Sequence, residues 1–246
     1  MRVAVLDDIH GNLPALEAVL QEVRRARVDR IVVGGDLVVG PMTRECLEYL
    51  SNLDIPVEFL YGNCEVAVLQ VMAGKEPAAV PEPHRATVRW TAAQLQPGHE
   101  RALAAWPKTI RLAIDGLGDA IFCHGTPRDD NEIFTKLTPE DRLLPIFEPL
   151  HVPLVVCGHT HMQFDRRIGT TRVVNAGSVG MPFGEPGADW LLLGPEIELR
   201  HTSYDLEKAA ARLRATTYPD DFAGRWVLAP PSSAEMLKTF TDYSMR

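Results

Sequence analysis

Short apolar runs that stop at acidic or glycine residues alternate, over the first third of the chain, with longer segments whose apolar positions recur at helical spacing. Residues 2–6 read as a strand that ends at Asp7 and Asp8. Residues 13–27 carry Ala15, Leu16, Val19, Leu20 and Val23 on one stripe and predict a helix, with Pro14 accommodated in its first turn. A strand at 30–33 stops at Gly34-Gly35-Asp36, a helix follows at 43–53, and a strand at 57–61 stops at Gly62-Asn63. Strand and helix in alternation, joined by short links, predict right-handed crossovers and a parallel sheet. Chemistry in such sheets gathers beyond the carboxyl ends of the strands.

The pattern loosens at 74–83, a proline-rich loop, and resumes with helices near 84–95 and 98–106. Residues 75–106 therefore read as a helical insertion, a candidate lid. Strands at 110–114 and 119–123 flank an Asp-Gly-Leu-Gly turn and predict a hairpin. A helix at 138–148, a buried strand at 153–157, pairing segments at 162–168 and 172–175, and strands at 190–193 and 197–203 follow. Asp205 caps a helix to about 214, and the weakly patterned extension at 219–246 holds one last short helix after Pro230-Pro231-Ser232-Ser233. One α/β domain over 1–246, with two mixed sheets flanked by helices, accounts for this order.

Composition narrows the function classes. At 246 residues, 46% hydrophobic and 24% charged, the chain has the make-up of a globular protein, so disorder is excluded. Its apolar runs are too short to span a bilayer or to serve as a secretory signal, and four cysteines (Cys46, Cys64, Cys123, Cys157) without CxxC spacing read as reduced thiols. A cytoplasmic protein without disulfides is expected. The formal charge of −8 argues against a surface built to bind nucleic acid, although bound cations would still let it take a small phosphate.

The informative residues sit at strand ends. Asp8 and His10 follow the first strand, Asp36 the second, Asn63 the third, His124 the strand ending at Cys123, and His159 and His161 the strand ending at Cys157. Any one of these histidines alone reads best as a capping or surface residue. Five strand ends delivering acid, imidazole and amide groups to one edge point to a metal site. His84, His99, His151 and His201 lie outside this set. Asp7 faces away from Asp8 along the strand and is expected to be solvated or to sit behind the ligands. Arg85 and Arg89 share a helical face and are candidate phosphate contacts if 75–106 closes over the site, the alternative being a solvated face.

The blocks Asp8-Ile9-His10-Gly11-Asn12, Gly35-Asp36, Gly62-Asn63-Cys64-Glu65, His124-Gly125 and Gly158-His159-Thr160-His161 resemble the calcineurin-like metallophosphoesterase family. Residues 175–182 look like the loop that follows the last block in its small bacterial phosphodiesterase branch. The resemblance implies a four-layer αββα sandwich and two divalent metal ions, Mn, Fe, Zn or Ni. It assigns Asp8, His10, Asp36 and His161 to one ion and Asp36, Asn63, His124 and His159 to the other, with Asp36 bridging. It implies in-line attack of a metal-bridging hydroxide on a phosphodiester, or second a phosphomonoester, with Asp36, Asn63, Cys64 and His124 at the reacting centre. Many relatives carry His where this chain has Cys64, so leaving-group protonation is expected to differ here. The competing expectation is a non-catalytic, metal-binding interaction scaffold of the same fold, as in the retromer subunit. The complete ligand set favours the enzyme.

Overall fold

Successive residues of the first strand face different partners, and that alternation builds the layers. In the computed structural model, which describes residues 1–244, β1 (Val3–Leu6) turns Val3 and Val5 to one side and Ala4 and Leu6 to the other. Asn12 then caps α1 (Leu13–Ala26) by accepting the Ala15 N–H at 3.2 Å, and Arg27 ends the helix in the left-handed conformation. The chain continues through β2 (Arg30–Val33), α2 (Thr43–Ser51), β3 (Val57–Phe59), α3 (Asn63–Met72), α4 (Arg85–Gln94) and α5 (Pro97–Ala105). The strands β1, β2 and β3 pair in parallel.

A second sheet forms from β4 (Thr109–Ile114), β5 (Gly118–Cys123), β6 (Leu154–Cys157), β7 (Phe164–Ile168) and β8 (Thr171–Asn175), with α6 (Glu140–Phe147) placed between β5 and β6 in the chain. Its order is β4-β5-β6-β8-β7, with β5, β6 and β8 parallel and the outer strands antiparallel. The chain then returns to the first sheet through β9 (Ala188–Leu193) and β10 (Ile197–Thr202), so that its order is β10-β9-β1-β2-β3. Both sheets are mixed: their parallel strands follow the predicted strand–helix alternation, while β9 and β10 in one sheet and β4 and β7 in the other pair antiparallel. α7 (Leu206–Arg214), a short π-helix (Ala223–Leu228) and α8 (Ser233–Tyr243) complete the described chain. Of the extension expected at 219–246, residues 245 and 246 lie outside the described residues.

Three apolar clusters account for four layers. Val3, Val5, Val32, Phe122, Leu154, Val156, Val174 and Leu191 meet between the sheets. The opposite face of the first sheet, through Ala4, Leu6, Ile31 and Val33, packs on Leu16 and Leu20 of α1 and on Val68 and Val88 of α3 and α4. The outer face of the second sheet, with Val155, Cys157 and Val173, packs on Leu143, Ile146 and Phe147 of α6. The 75–106 segment shares in this packing, because Val88, Ala92, Leu95 and Leu103 are buried in the same cluster as α1. The helix α3 is absent from the hydrophobic pattern and owes its start to Glu65, which reaches back to the Gly62 N–H at 2.7 Å. Among the described residues no helix is long and apolar enough to cross a membrane.

Candidate metal centre

Beyond the strand ends the connecting loops zip together before any side chain is placed. The N–H groups of Asp8, His10 and Gly11 donate to the carbonyls of Gly35, Asp36 and Leu37 at 2.9–3.1 Å, which locks the loop after β1 to the loop after β2. From the second sheet, the Gly158 N–H donates to His124 O, and the N–H groups of Val179 and Gly180 donate to the carbonyls of Asp7 and Asp8. Asn175 clamps the loop after β6 by donating to Gly158 O at 2.6 Å and Thr160 Oγ1 at 3.2 Å. Within the first sheet the ends of β1 and β2 also press together: a Cβ at Gly34 would lie 1.6 Å from Asp7 Oδ1.

The seven strand-end residues converge. His161 Nε2 is 3.2 Å from both Asp8 Oδ1 and His10 Nε2. His124 Nε2 is 3.1 Å from Asn63 Oδ1 and 3.4 Å from Asp36 Oδ2. His159 stacks obliquely on His124 at 4.9 Å between ring centroids. Three groups of potential ligand atoms lie within 4.8 Å of one another: Asp8 with His10 and His161, Asp36 with His124 and His159, and His10 with Asp36 and Cys64. Asp36 belongs to the second and third of these groups, and His10 to the first and third. Five of the eight non-glycine residues with positive φ are members of this cluster, namely Asp8, His10, Asp36, His159 and His161. The left-handed conformation costs an L-residue about 1–2 kcal/mol, so the loops hold these side chains inward against their own backbone preference.

The donor atoms are prepared for a cation. His124 Nδ1–H donates to Gly34 O at 3.0 Å and His161 Nδ1–H to Met181 O at 2.9 Å, which turns each Nε2 into the cluster. His124 Nε2 then faces two oxygens, and His161 Nε2 faces Asp8 Oδ1 and a ring nitrogen, arrangements that a shared proton or a cation between the partners satisfies. Asp8 spends Oδ2 on the His159 N–H at 2.8 Å and leaves Oδ1 buried without a hydrogen bond, as is His159 Nε2. Buried polar atoms left unpaired are costly in an ordinary interior. Two carboxylates, an amide oxygen and four imidazoles fit a hard-to-borderline divalent ion.

Electrostatics follow from this crowding. Burial works to raise the Asp36 carboxyl, yet the charge and hydrogen bond of His124 and the charge of His10 hold it well below the usual carboxylate range. Asp8 is likewise lowered, its burial outweighed by His161 and His124. Burial works to lower His124 and His161, and their carboxylate neighbours raise both above the ordinary imidazole value. Burial, then the charge of His124, pushes His159 down to about 4. The thiol of Cys64 is pushed well up by burial and by Asp36, while its N–H donates to Asp36 Oδ1 at 2.8 Å.

Asp7 takes the second of its two expected places, Arg85 and Arg89 depart from theirs as phosphate contacts, and one residue was not expected. Asp7 is not solvated but 1% exposed, because the alternation of β1 continues through it and turns it between the sheets; burial and the Asp8 charge push its carboxyl well up. Arg85 and Arg89 are not brought to the cluster: Arg85 donates to Val80 O and Ala78 O, and Arg89 pairs with Glu76, so both tie down the 76–80 loop. Glu65 is the unexpected residue. Fully buried, it accepts the N–H groups of Asp36 at 2.9 Å, Val38 at 3.1 Å and Gly62 at 2.7 Å. Burial and the charge of Asp36 push its carboxyl up to about 7 against those hydrogen bonds. Its spacing from Gly62, three residues into a helix, is the sequence signal that could have identified it. All four cysteines are free thiols.

The cluster opens into a cavity of about 410 Å³ whose floor includes His10, Asp36, Asn63 and Cys64. Val80, Pro81, His84 and Val88 line one side, and Phe183, Trp226 and Phe240 another.

A family model described as a calcineurin-like phosphoesterase superfamily domain matches residues 1–194. An uncharacterised protein of Methanocaldococcus jannaschii is 28% identical over 243 residues, covering 89% of this chain and 94% of its own. A metallophosphoesterase from Sphaerobacter thermophilus is similar in structure with a TM-score of 0.72 and 27% identity, over 92% of this chain and 97% of that one. A hypothetical protein from Pyrococcus horikoshii OT3 shares the fold at a TM-score of 0.79 and 22% identity, over 91% of this chain and 96% of its own.

Proposed function

Because the chain belongs to the calcineurin-like phosphoesterase superfamily, we propose that it is a metal-dependent hydrolase of phosphodiesters that works through two divalent ions at the strand-end cluster. The observation that carries this reading is the complete inward-facing donor set, with Asp36 placed to be shared. Asp8, His10, Asp36 and His161 would hold one ion, and Asp36, Asn63, His124 and His159 the other. When bound, such ions supply Lewis acidity that activates water and neutralises phosphoryl charge. The chain's own part is orientation: Gly34 O and Met181 O fix the His124 and His161 rings, and Glu65 fixes the Asp36 loop. Cys64 keeps its thiol protonated beside the reacting edge, a weak proton donor that favours leaving groups needing little protonation.

Diesters suit the cavity better than monoesters. Among the residues lining it there is one arginine, Arg225, and no lysine. A dianionic monoester would find little cationic help away from the metals, whereas a monoanionic diester places its second organic group against apolar walls. Residues 75–106 act as a fixed side wall in this proposal, since their helices are anchored in the core. The reduced thiols fit a cytoplasmic setting.

The test is manganese-dependent hydrolysis of bis-p-nitrophenyl phosphate and p-nitrophenyl phosphate by the wild type and Asp36→Asn at equal metal loading. The expected result is diester turnover exceeding monoester turnover and lost in the variant. Monoester turnover alone would make the protein a phosphatase. No turnover of either ester with the metal sites filled would move it to a non-catalytic scaffold.

A further inference from the structure

The segment after residue 194 lies outside the family match, yet it comes back to the mouth of the cluster. Phe183 is the hinge of that return. Its ring stacks on His161 at 5.5 Å between centroids with 19° between planes. Trp226 and Phe240 approach Phe183 at 6.2 and 6.0 Å. The backbone is tied at the same place: Ser233 Oγ donates to Phe183 O at 2.7 Å, and the Gly184 N–H donates to Pro231 O at 2.9 Å. The π-helix that carries Trp226 is confirmed by the five-residue bond from the Ala229 N–H to Gly224 O at 3.1 Å, a rare geometry that recurs at functional sites. Arg225 lies over the Trp226 ring at 4.9 Å.

Trp226 and Phe240 are half-buried and line the 410 Å³ cavity that opens on Asp36 and Cys64. Aromatic surface left half-exposed in a cavity beside an ionic cluster is surface that a flat apolar group would cover favourably. Val80, Pro81 and Val88 line the same cavity with apolar side chains that give shape without hydrogen bonds. Resting on the phosphoesterase reading above, we propose that the C-terminal segment forms a ring-binding subsite in which Trp226 and Phe240 hold a flat aromatic group of the substrate, the non-reacting ester substituent, next to the metal cluster. An aryl group and a nucleoside base share this chemistry. The subsite makes these two residues determinants of specificity, with Arg225 the adjoining cation for the phosphoester charge.

Three diesters with a common p-nitrophenol leaving group test this: methyl, phenyl and thymidine 5′ p-nitrophenyl phosphate. Because the bond broken and the departing phenolate are the same, differences in kcat/KM report the retained substituent. Stacking on one aromatic side chain is worth roughly 5- to 150-fold. The wild type is expected to prefer the phenyl and thymidine esters over the methyl ester by about tenfold or more. Trp226→Leu should collapse that ratio toward one, and Trp226→Phe should restore most of it. The phenyl and thymidine arms distinguish an aryl from a nucleoside substituent. A wild type with no ring preference, or a Trp226→Leu variant that lowers all three esters equally with its circular dichroism intact, would overturn the subsite.

Calorimetric titration with phenylphosphonate and methylphosphonate, which are not cleaved, separates this inference from the one beneath it. Tighter binding of the phenyl compound that is lost in Trp226→Leu upholds the subsite even if no ester turns over. Turnover without any ring preference removes the subsite and leaves the phosphoesterase standing. Equal binding of the two phosphonates, with no turnover, removes both.

Discussion

The carboxylate of Glu65 accepts the backbone N–H of Asp36 at 2.9 Å, and with the same oxygen the N–H of Gly62 at 2.7 Å. One buried side chain thus joins the loop after β2 to the start of α3, and sets where Asp36 presents its own carboxylate. Replacing Glu65 with Gln puts an amide NH2 where an acceptor is needed, leaving a backbone donor opposed. A loss of about 1–3 kcal/mol in urea unfolding is expected, together with weaker manganese binding read by calorimetry. An unaltered manganese affinity would show that Glu65 supports the fold without positioning Asp36.

Metal uptake should release protons. His124 and His161 lie above the ordinary imidazole value in the metal-free protein, so near pH 6.5 a large share of each carries a proton. Ligation requires the neutral ring. Apparent manganese affinity should therefore rise with pH through neutrality, and the calorimetric binding enthalpy should change with the ionisation enthalpy of the buffer. Filling the site should also raise Tm, while Asp36→Asn should lose most of that rise. Buffer-independent enthalpy would mean that the two imidazoles are already neutral before metal arrives.

Gly34 leaves no room for a side chain, since an added Cβ would lie 1.6 Å from Asp7 Oδ1 and 2.4 Å from Asp7 Cγ. Gly34→Ala should cost about 3 kcal/mol or more, the upper part of the range for overpacking. Asp7→Ala in the same chain removes the obstructing carboxyl and should recover part of the loss, so the pair will be non-additive in urea melts. Strict additivity would place the strain elsewhere.

Cys64→His restores an imidazole beside Asn63 with a pKa suited to donating a proton. Diesters with poor leaving groups, such as diphenyl phosphate, should gain roughly tenfold or more in kcat relative to bis-p-nitrophenyl phosphate, a fraction of the roughly 100- to 10,000-fold that general-acid catalysis supplies. An equal change for both esters would sink the idea that the thiol limits leaving-group protonation.

The cluster was legible in the sequence because each ligand type interrupts an apolar run: Asp8 after Val3–Leu6 and His159 after Leu154–Cys157 stand out against neighbours that are fully buried. The parallel strands of the two sheets followed from the alternation of strand and helix, and the antiparallel pair β4–β5 from its Asp-Gly-Leu-Gly turn. Their order did not, because β9 joins β1 only through contacts nearly two hundred residues apart. Asp7 stood between two readings, solvated or behind the ligands, and the strand's two-residue period carries it to the second, between the sheets. Arg85 and Arg89 share a helical face as expected, yet their long side chains fold back onto Val80 and Glu76. Glu65 resembles any helix-surface acid unless its distance from Gly62 is weighed. In the tail only the last short helix was legible, because the meaning of Trp226 and Phe240 comes from their contact with Phe183, more than forty residues away in the chain.

The left-handed backbone at Asp8, His10, Asp36, His159 and His161 also bears on how such a site changes over generations. Asparagine tolerates that conformation better than almost any residue with a side chain, and it is close in shape to aspartate. Exchange of Asp8 or Asp36 for Asn is therefore a step that removes one of the centre's two carboxylate charges while suiting the loop's backbone, whereas valine or isoleucine at the same places would break the loops themselves. Loss of chemistry and loss of fold are separable along that path, so a lineage can shed catalysis in a single substitution and keep a stable protein free to be put to another use.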